Sequence, residues 1–215
     1  MTILIQGMRR SGTTILYDAL LEDPGLRCFY EPLREDTETP GGGSGARATD
    51  PFAETRALRT AYRDAHHPGL EIEQFNWGGP GEPAREIGPG LPDHCTGFIS
   101  QLLEEGSADG REPMVKFTRI YAKLDRIAPL APKSILVHVV RDPRAVAASM
   151  MMGKGRKRAG DYEHPGSFFD ERSRRKLWSS RELSEELRET EPYSRIEDPA
   201  NFERILMVWK YTFER

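Results

Sequence analysis

Ile3-Leu4-Ile5-Gln6-Gly7-Met8-Arg9-Arg10-Ser11-Gly12-Thr13-Thr14 joins a short β-branched run to a glycine-bounded turn and then to hydroxyl side chains that open a helical pattern. A strand passing through such a turn into a helix aims backbone N–H groups and the positive end of the helix dipole at one point, where an anion is stabilised. Gly7 and Gly12 have the Gly-x-x-x-x-Gly spacing of a phosphate loop, but Thr13 stands where an ATP- or GTP-hydrolysing protein carries lysine. Positive charge lies inside the turn instead, at Arg9 and Arg10, whose guanidinium groups suit anionic oxygens. The pattern argues against a magnesium-dependent nucleotide hydrolase. Its plainer alternative is a strand-to-helix turn with solvent-facing arginines.

Working outward, residues 2–6, 27–30, 114–117 and 134–140 read as strands, each brief, apolar or aromatic, and bounded by breakers. The last, Ser134-Ile135-Leu136-Val137-His138-Val139-Val140, is nearly continuous apolar sequence, as expected of a parallel strand covered on both faces, with His138 packed rather than ligating. Helical patterns fall at residues 13–21, 53–65, 96–104, 119–128 and 144–152, and an apolar-rich one, including Trp209 as a core residue, at 204–213. This alternation predicts an α/β, P-loop NTPase-like three-layer fold: a central, mainly parallel sheet of about four or five strands flanked by helices.

The chain has 215 residues, 37% apolar and 30% charged, enough for one α/β domain over residues 1–215 with a substantial core. Lysine and arginine number 31 against 34 acidic residues, so the net charge of −3 predicts no nucleic-acid partner and confines any anion site to a local feature. Cys28 and Cys95 are the two cysteines and form no close pair, so neither a disulfide framework nor a cysteine-built zinc site is expected. The histidines, among them His66, His67, His94 and His164, show no ligand spacing, and no metal is expected. No apolar run is long enough to span a bilayer and no secretory leader precedes residue 2, so no membrane partner and a cytoplasmic location are expected. A homodimer is the base-rate expectation. The stretch Pro40-Gly41-Gly42-Gly43-Ser44-Gly45 predicts a mobile loop over about 38–50, residues 74–93 are again rich in glycine and proline, and a charged helical region is expected over about 153–190. The basic run Gly153-Lys154-Gly155-Arg156-Lys157-Arg158 reads as a solvated loop.

A second strand-to-helix junction lies downstream in Val139-Val140-Arg141-Asp142-Pro143-Arg144-Ala145-Val146-Ala147-Ala148-Ser149. Asp142 suits an N-cap and Pro143 the first helical position, which disfavours Asp142 as a magnesium ligand. Arg141 falls at the C-terminal end of a strand, where open α/β sheets bind ligands, and Ser149 follows two helical turns later.

Arg10-Ser11-Gly12-Thr13-Thr14 resembles the 5′-phosphosulfate-binding loop of sulfotransferases that use 3′-phosphoadenosine 5′-phosphosulfate (PAPS), in particular their tyrosylprotein and carbohydrate branches. Arg141 and Ser149 resemble that family's pair for the 3′-phosphate. The resemblance implies PAPS as co-substrate, held by Arg9, Arg10, Ser11, Gly12, Thr13, Thr14, Arg141 and Ser149. Phe29-Tyr30-Glu31-Pro32-Leu33 resembles the Phe-Glu-Pro-Leu segment of carbohydrate sulfotransferases and makes Glu31 the candidate base; a salt bridge, for instance with Arg9, is its structural alternative. By the same resemblance Arg10 stabilises charge on the bridging oxygen and sulfonate, and Lys116 in Met114-Val115-Lys116-Phe117 adds a second cation unless it serves a structural ion pair. The acceptor is expected to be a small molecule, carbohydrate or peptide entering over the Gly/Pro-rich loops, where Trp77 lies, and the charged region after Gly153. Family members continue past a point like Arg215 with another strand and a segment closing over the nucleotide, so a C-terminally shortened member is expected. Two rivals remain: an ATP-dependent small-molecule kinase, and a non-catalytic nucleotide-binding module.

Overall fold

A computed structural model describes residues 1–34, 50, 52–75, 87–152, 180–197 and 201–214. Four strands form a parallel sheet in the order β2-β3-β1-β4: β1 (Ile3–Gly7), β2 (Leu26–Tyr30), β3 (Glu112–Lys116) and β4 (Ile135–Val139). Ile3 lies in register with Met114 on one side of β1 and with Ile135 on the other. Helix α1 (Thr13–Leu20) follows β1, while α2 (Ala53–His66) and α3 (Asp93–Ser107) lie between β2 and β3. A short α4 (Leu124–Ile127) precedes β4; α5 (Pro143–Met152), α6 (Ser180–Leu187) and α7 (Asn201–Glu214) follow it.

The period-two alternation of strands separates two layers of core. Leu4, Phe29 and Val115 pack with Phe98, Ile99 and Leu102 of α3, whereas Ile5, Tyr30 and Met114 pack with Tyr17 of α1. Helices therefore cover both faces of the sheet, the arrangement expected of parallel strands. A third cluster joins Met8 and Tyr121 to Val146, Ala147 and Met150 of α5, Leu183 and Leu187 of α6, and Ile205, Val208 and Tyr211 of α7.

All four predicted strands form, within two residues of their expected ends. Two expectations fail. Among the described residues β4 is an edge strand, and Ile135 and Leu136 are each nearly half exposed, so these residues leave its apolar run uncovered on part of its surface. Apolar patterning alone cannot tell a central strand from an edge strand whose side chains are only partly covered. The single helix expected over 119–128 is a 3-10 turn at Tyr121–Lys123, the four-residue α4 and another 3-10 turn at Ala128–Leu130. Pro129 removes a backbone donor, and the fully buried Lys123 turns inward to donate to the Gly88 carbonyl at 2.7 Å.

Trp209 is only partly buried; it stacks on Phe213 at a ring separation of 5.2 Å and donates Nε1–H to the Arg141 carbonyl at 3.0 Å. Burial alone lowers the proton affinity of His138, whose ring lies 6.1 Å from that of Phe213. Both cysteines are free thiols. The loop expected over about 38–50 apart from Asp50, most of the Gly/Pro-rich stretch with Trp77, the basic run and His164 lie outside the described residues. No helix among the described residues is long and apolar enough to cross a membrane, and no cluster of His, Cys, Asp and Glu among them is arranged to hold a metal ion.

Candidate functional site

β1 delivers the phosphate-type turn to the C-terminal edge of the sheet, between the ends of β3 and β4. The turn closes with Ser11 N–H donating to the Met8 carbonyl at 3.1 Å, and Gly12, at φ 112°, starts α1 in a conformation that favours glycine. Arg10 also has positive φ, 67°, which for a non-glycine residue costs on the order of 1–2 kcal/mol. Gly7 is needed for a different reason. A Cβ there would meet the Val139 carbonyl oxygen at 2.6 Å, Ser11 Oγ at 2.7 Å and Thr13 Cγ2 at 2.9 Å. Gly7→Ala must therefore push the turn away from β4, and we expect a loss of about 1–3 kcal/mol in chemical unfolding, with anion affinity weakened in parallel.

The two strand-to-helix junctions, more than a hundred residues apart in sequence, meet. Arg10 Nε donates to Ser149 Oγ at 2.8 Å, and Arg141 Nη1 donates to the Arg10 carbonyl at 3.2 Å. Burial, and then the neighbouring Arg141 guanidinium, lower the proton affinity of Arg10, although a guanidinium stays charged. Two cations held this close disfavour each other and favour an anion between them. Arg9 and Gly12 are partly buried, and Thr13 is buried in the turn. Ser11 Oγ is buried without a hydrogen-bond partner among the described residues, a costly arrangement unless a bound oxygen satisfies it. The Thr14 hydroxyl is engaged with Tyr30 Oη at 3.0 Å.

Asp142 caps α5 as expected, its Oδ1 accepting the Arg144 backbone N–H at 2.8 Å. Its carboxyl also pairs with the Arg144 side chain and is lowered to about 2, by that side chain first and by backbone N–H groups after it. These partners explain Asp142 without a metal.

Glu31 sits past the end of β2 at φ 47°, with its N–H donating to the Lys116 carbonyl at 2.8 Å. Its carboxylate pairs with Lys116, whose side chain is 1% exposed, and not with Arg9; Lys116 Nζ donates to Oε1 and lies 4.2 Å from the centre of the Tyr30 ring. Thr118 Oγ1 is 2.9 Å from Oε1 and 2.7 Å from Oε2. Burial alone raises the Glu31 carboxyl, but the charge and hydrogen bond of Lys116, the Thr118 hydroxyl and the charge of Arg34 together bring it below the ordinary value. The group is thus ionised at neutral pH.

The Glu31 turn is also held from behind. Buried Arg59 of α2 donates Nη1 to the Pro32 carbonyl at 3.1 Å and to the Arg34 carbonyl at 2.7 Å. Arg59, Thr118 and Tyr30 escaped the reading of the sequence, because each acts through a partner remote in the chain. An arginine on an amphipathic helix carries no local mark of which carbonyls it reaches.

The site therefore combines a glycine-bounded turn with a buried, unsatisfied Ser11 hydroxyl, two guanidinium groups linked through the backbone and Ser149, and an ionised carboxylate paired with lysine at the end of the neighbouring strand pair. No curated protein and no solved structure matches the chain. Residues 2–189 match the sulfotransferase family, a span that holds both junctions, Glu31 and Lys116. The chain, an α/β protein with a four-stranded parallel sheet flanked by helices, belongs to the sulfotransferase family.

Proposed function

We propose that the protein transfers a sulfonate from PAPS to a hydroxyl or amine of a carbohydrate, peptide or small metabolite. The observation carrying this reading is the linkage of Arg10, Arg141 and Ser149, which joins two separate strand-to-helix junctions into one surface. A donor with phosphates at both its 5′ and 3′ positions needs two such sites, whereas a single phosphate loop would serve ATP. The unsatisfied Ser11 hydroxyl fits an anionic oxygen seated in the turn. Arg9, Ser11, Gly12, Thr13 and Thr14 are assigned to the 5′-phosphosulfate, and Arg141 and Ser149 to the 3′-phosphate.

In the transfer to a hydroxyl, the acceptor oxygen forms a bond to sulfur as the bond from sulfur to the bridging oxygen breaks. The electron pair of that bond leaves with the phosphate. Glu31 takes the acceptor proton and becomes neutral, then returns it to solvent. Arg10 balances charge growing on the bridging oxygen and sulfonate. Lys116, no longer facing a full carboxylate once Glu31 is protonated, adds positive charge on the same side. No metal has a role in this scheme.

Calorimetry with adenosine 3′,5′-bisphosphate against ATP and magnesium tests the reading. Binding of the bisphosphate without need of metal is expected. Binding of magnesium-ATP with no response to the bisphosphate would favour the kinase alternative, to which Thr13 in place of lysine is the present objection. Binding of the bisphosphate without sulfonate transfer would mark a non-catalytic nucleotide-binding module.

A further inference from the structure

We propose that Thr118 is a positioning residue for the transfer: its hydroxyl, spanning both oxygens of the Glu31 carboxylate, orients that group so that Oε2 is the oxygen that receives the acceptor proton. The inference rests on Glu31 being the base.

The geometry separates the two carboxylate oxygens. Oε1 is engaged by Lys116 Nζ and lies 2.9 Å from Thr118 Oγ1; Oε2 has Thr118 alone, at 2.7 Å. A threonine hydroxyl carries one proton and can donate to only one oxygen at a time. When it turns to Oε1, Oε2 keeps both lone pairs for an incoming proton. Once Oε2 is protonated, its O–H can donate to Thr118 Oγ1 while the threonine proton stays on Oε1. The same hydroxyl thus serves both charge states of Glu31 without movement of the carboxylate. Thr118 is itself nearly buried, and the preceding Phe117 N–H is fixed to the Ile5 carbonyl at 2.7 Å. Its place is therefore set by the sheet next to the anion turn. Lys116 cannot perform this task, since an ammonium group has donors only.

The test compares Thr118→Val, Thr118→Ala and Thr118→Ser with the parent protein. The Glu31 carboxyl resonance, assigned by its loss in Glu31→Gln, is followed through a pH titration by carbon-13 NMR, and turnover with PAPS is followed alongside. In Val and Ala we expect Glu31 to titrate at higher pH, because a hydrogen bond that favours the charged form is gone. Turnover should fall roughly ten- to hundredfold from misorientation of the base, with KM for the donor unchanged. Ser should restore both properties. The Ala variant adds no bulk and covers the case in which Val does not fold. A Glu31 titration in Val or Ala that superimposes on the parent's overturns the positioning role whatever the activity. Full turnover in Glu31→Gln instead overturns the base reading beneath it.

Discussion

Glu31→Gln is expected to lower turnover by about 10²–10⁴-fold while binding of adenosine 3′,5′-bisphosphate stays close to that of the parent protein. The substitution keeps shape and one hydrogen-bond acceptor but removes the group assigned to take the acceptor proton; it also leaves the buried Lys116 without its counter-ion, so unfolding is measured alongside. The anion turn and the Arg141–Arg10–Ser149 linkage lie on other strand ends and keep their contacts. Arg10→Ala should cost about 10²–10³-fold in turnover through loss of charge stabilisation in the transition state, again with a smaller effect on donor affinity. Arg141→Ala should act mainly on the donor, raising its KM and Kd. Single-turnover kinetics beside calorimetry separates these effects. An equal loss of donor binding in all three variants would contradict the division of roles.

Lys116→Met is expected to destabilise the fold by about 3–5 kcal/mol near neutral pH, because it leaves a nearly buried carboxylate without its counter-ion. The second change Glu31→Gln should recover a large part of that loss, since the stranded charge then disappears. The sign of the pH dependence provides a separate check. In the parent protein Glu31 is held below its ordinary value of 4.5, so its contribution to stability is complete above that value and is lost as pH falls through the lower folded-state value. Burial is already the largest single influence on this carboxyl; without Lys116 it is no longer outweighed and pushes the carboxyl up. Stability from this group is then greatest at acid pH and falls as pH rises past 4.5. Urea unfolding at stepped pH should therefore give opposite slopes for the two proteins through the weakly acidic range. Parallel slopes would mean that Lys116 does not govern the ionisation of Glu31.

The ion pair also shows why two readings of these residues coexist. Glu31 and Lys116 satisfy the structural alternative, a strand-end salt bridge, through the same contact that keeps Glu31 ionised and available for a proton. A lower proton affinity weakens the driving force of a base but maintains its charged form across a wide pH range. Backbone strain points to the same places. Arg10 and Glu31 are the two non-glycine residues with positive φ among those described, and both are assigned to the chemistry. Such conformations persist where surrounding contacts hold them, here the Met8–Ser11 turn for one, and the Lys116 carbonyl with Arg59 for the other.

What the sequence determined by itself was local. Strand β1 running through Gly7 and Gly12 into α1, the Asp142–Pro143 start of α5, and the positions of the four strands all follow from short-range rules of composition, capping and glycine placement. Arg10, Ser11, Arg141 and Ser149 were singled out at two strand-to-helix junctions, and the structure brings Arg10 into contact with both Arg141 and Ser149. Only the tertiary structure decided that β4 lies at the edge among the described residues, that the expected helix over 119–128 is split into short helical turns, and that Lys116 rather than Arg9 meets Glu31. It also brought in Thr118 and Arg59, which hold the Glu31 side chain and its turn. The physical reason is range: propensity and capping act within a few residues, whereas a side chain's partner across a sheet is set by strand order and register, which many sequences with this same pattern would leave undetermined.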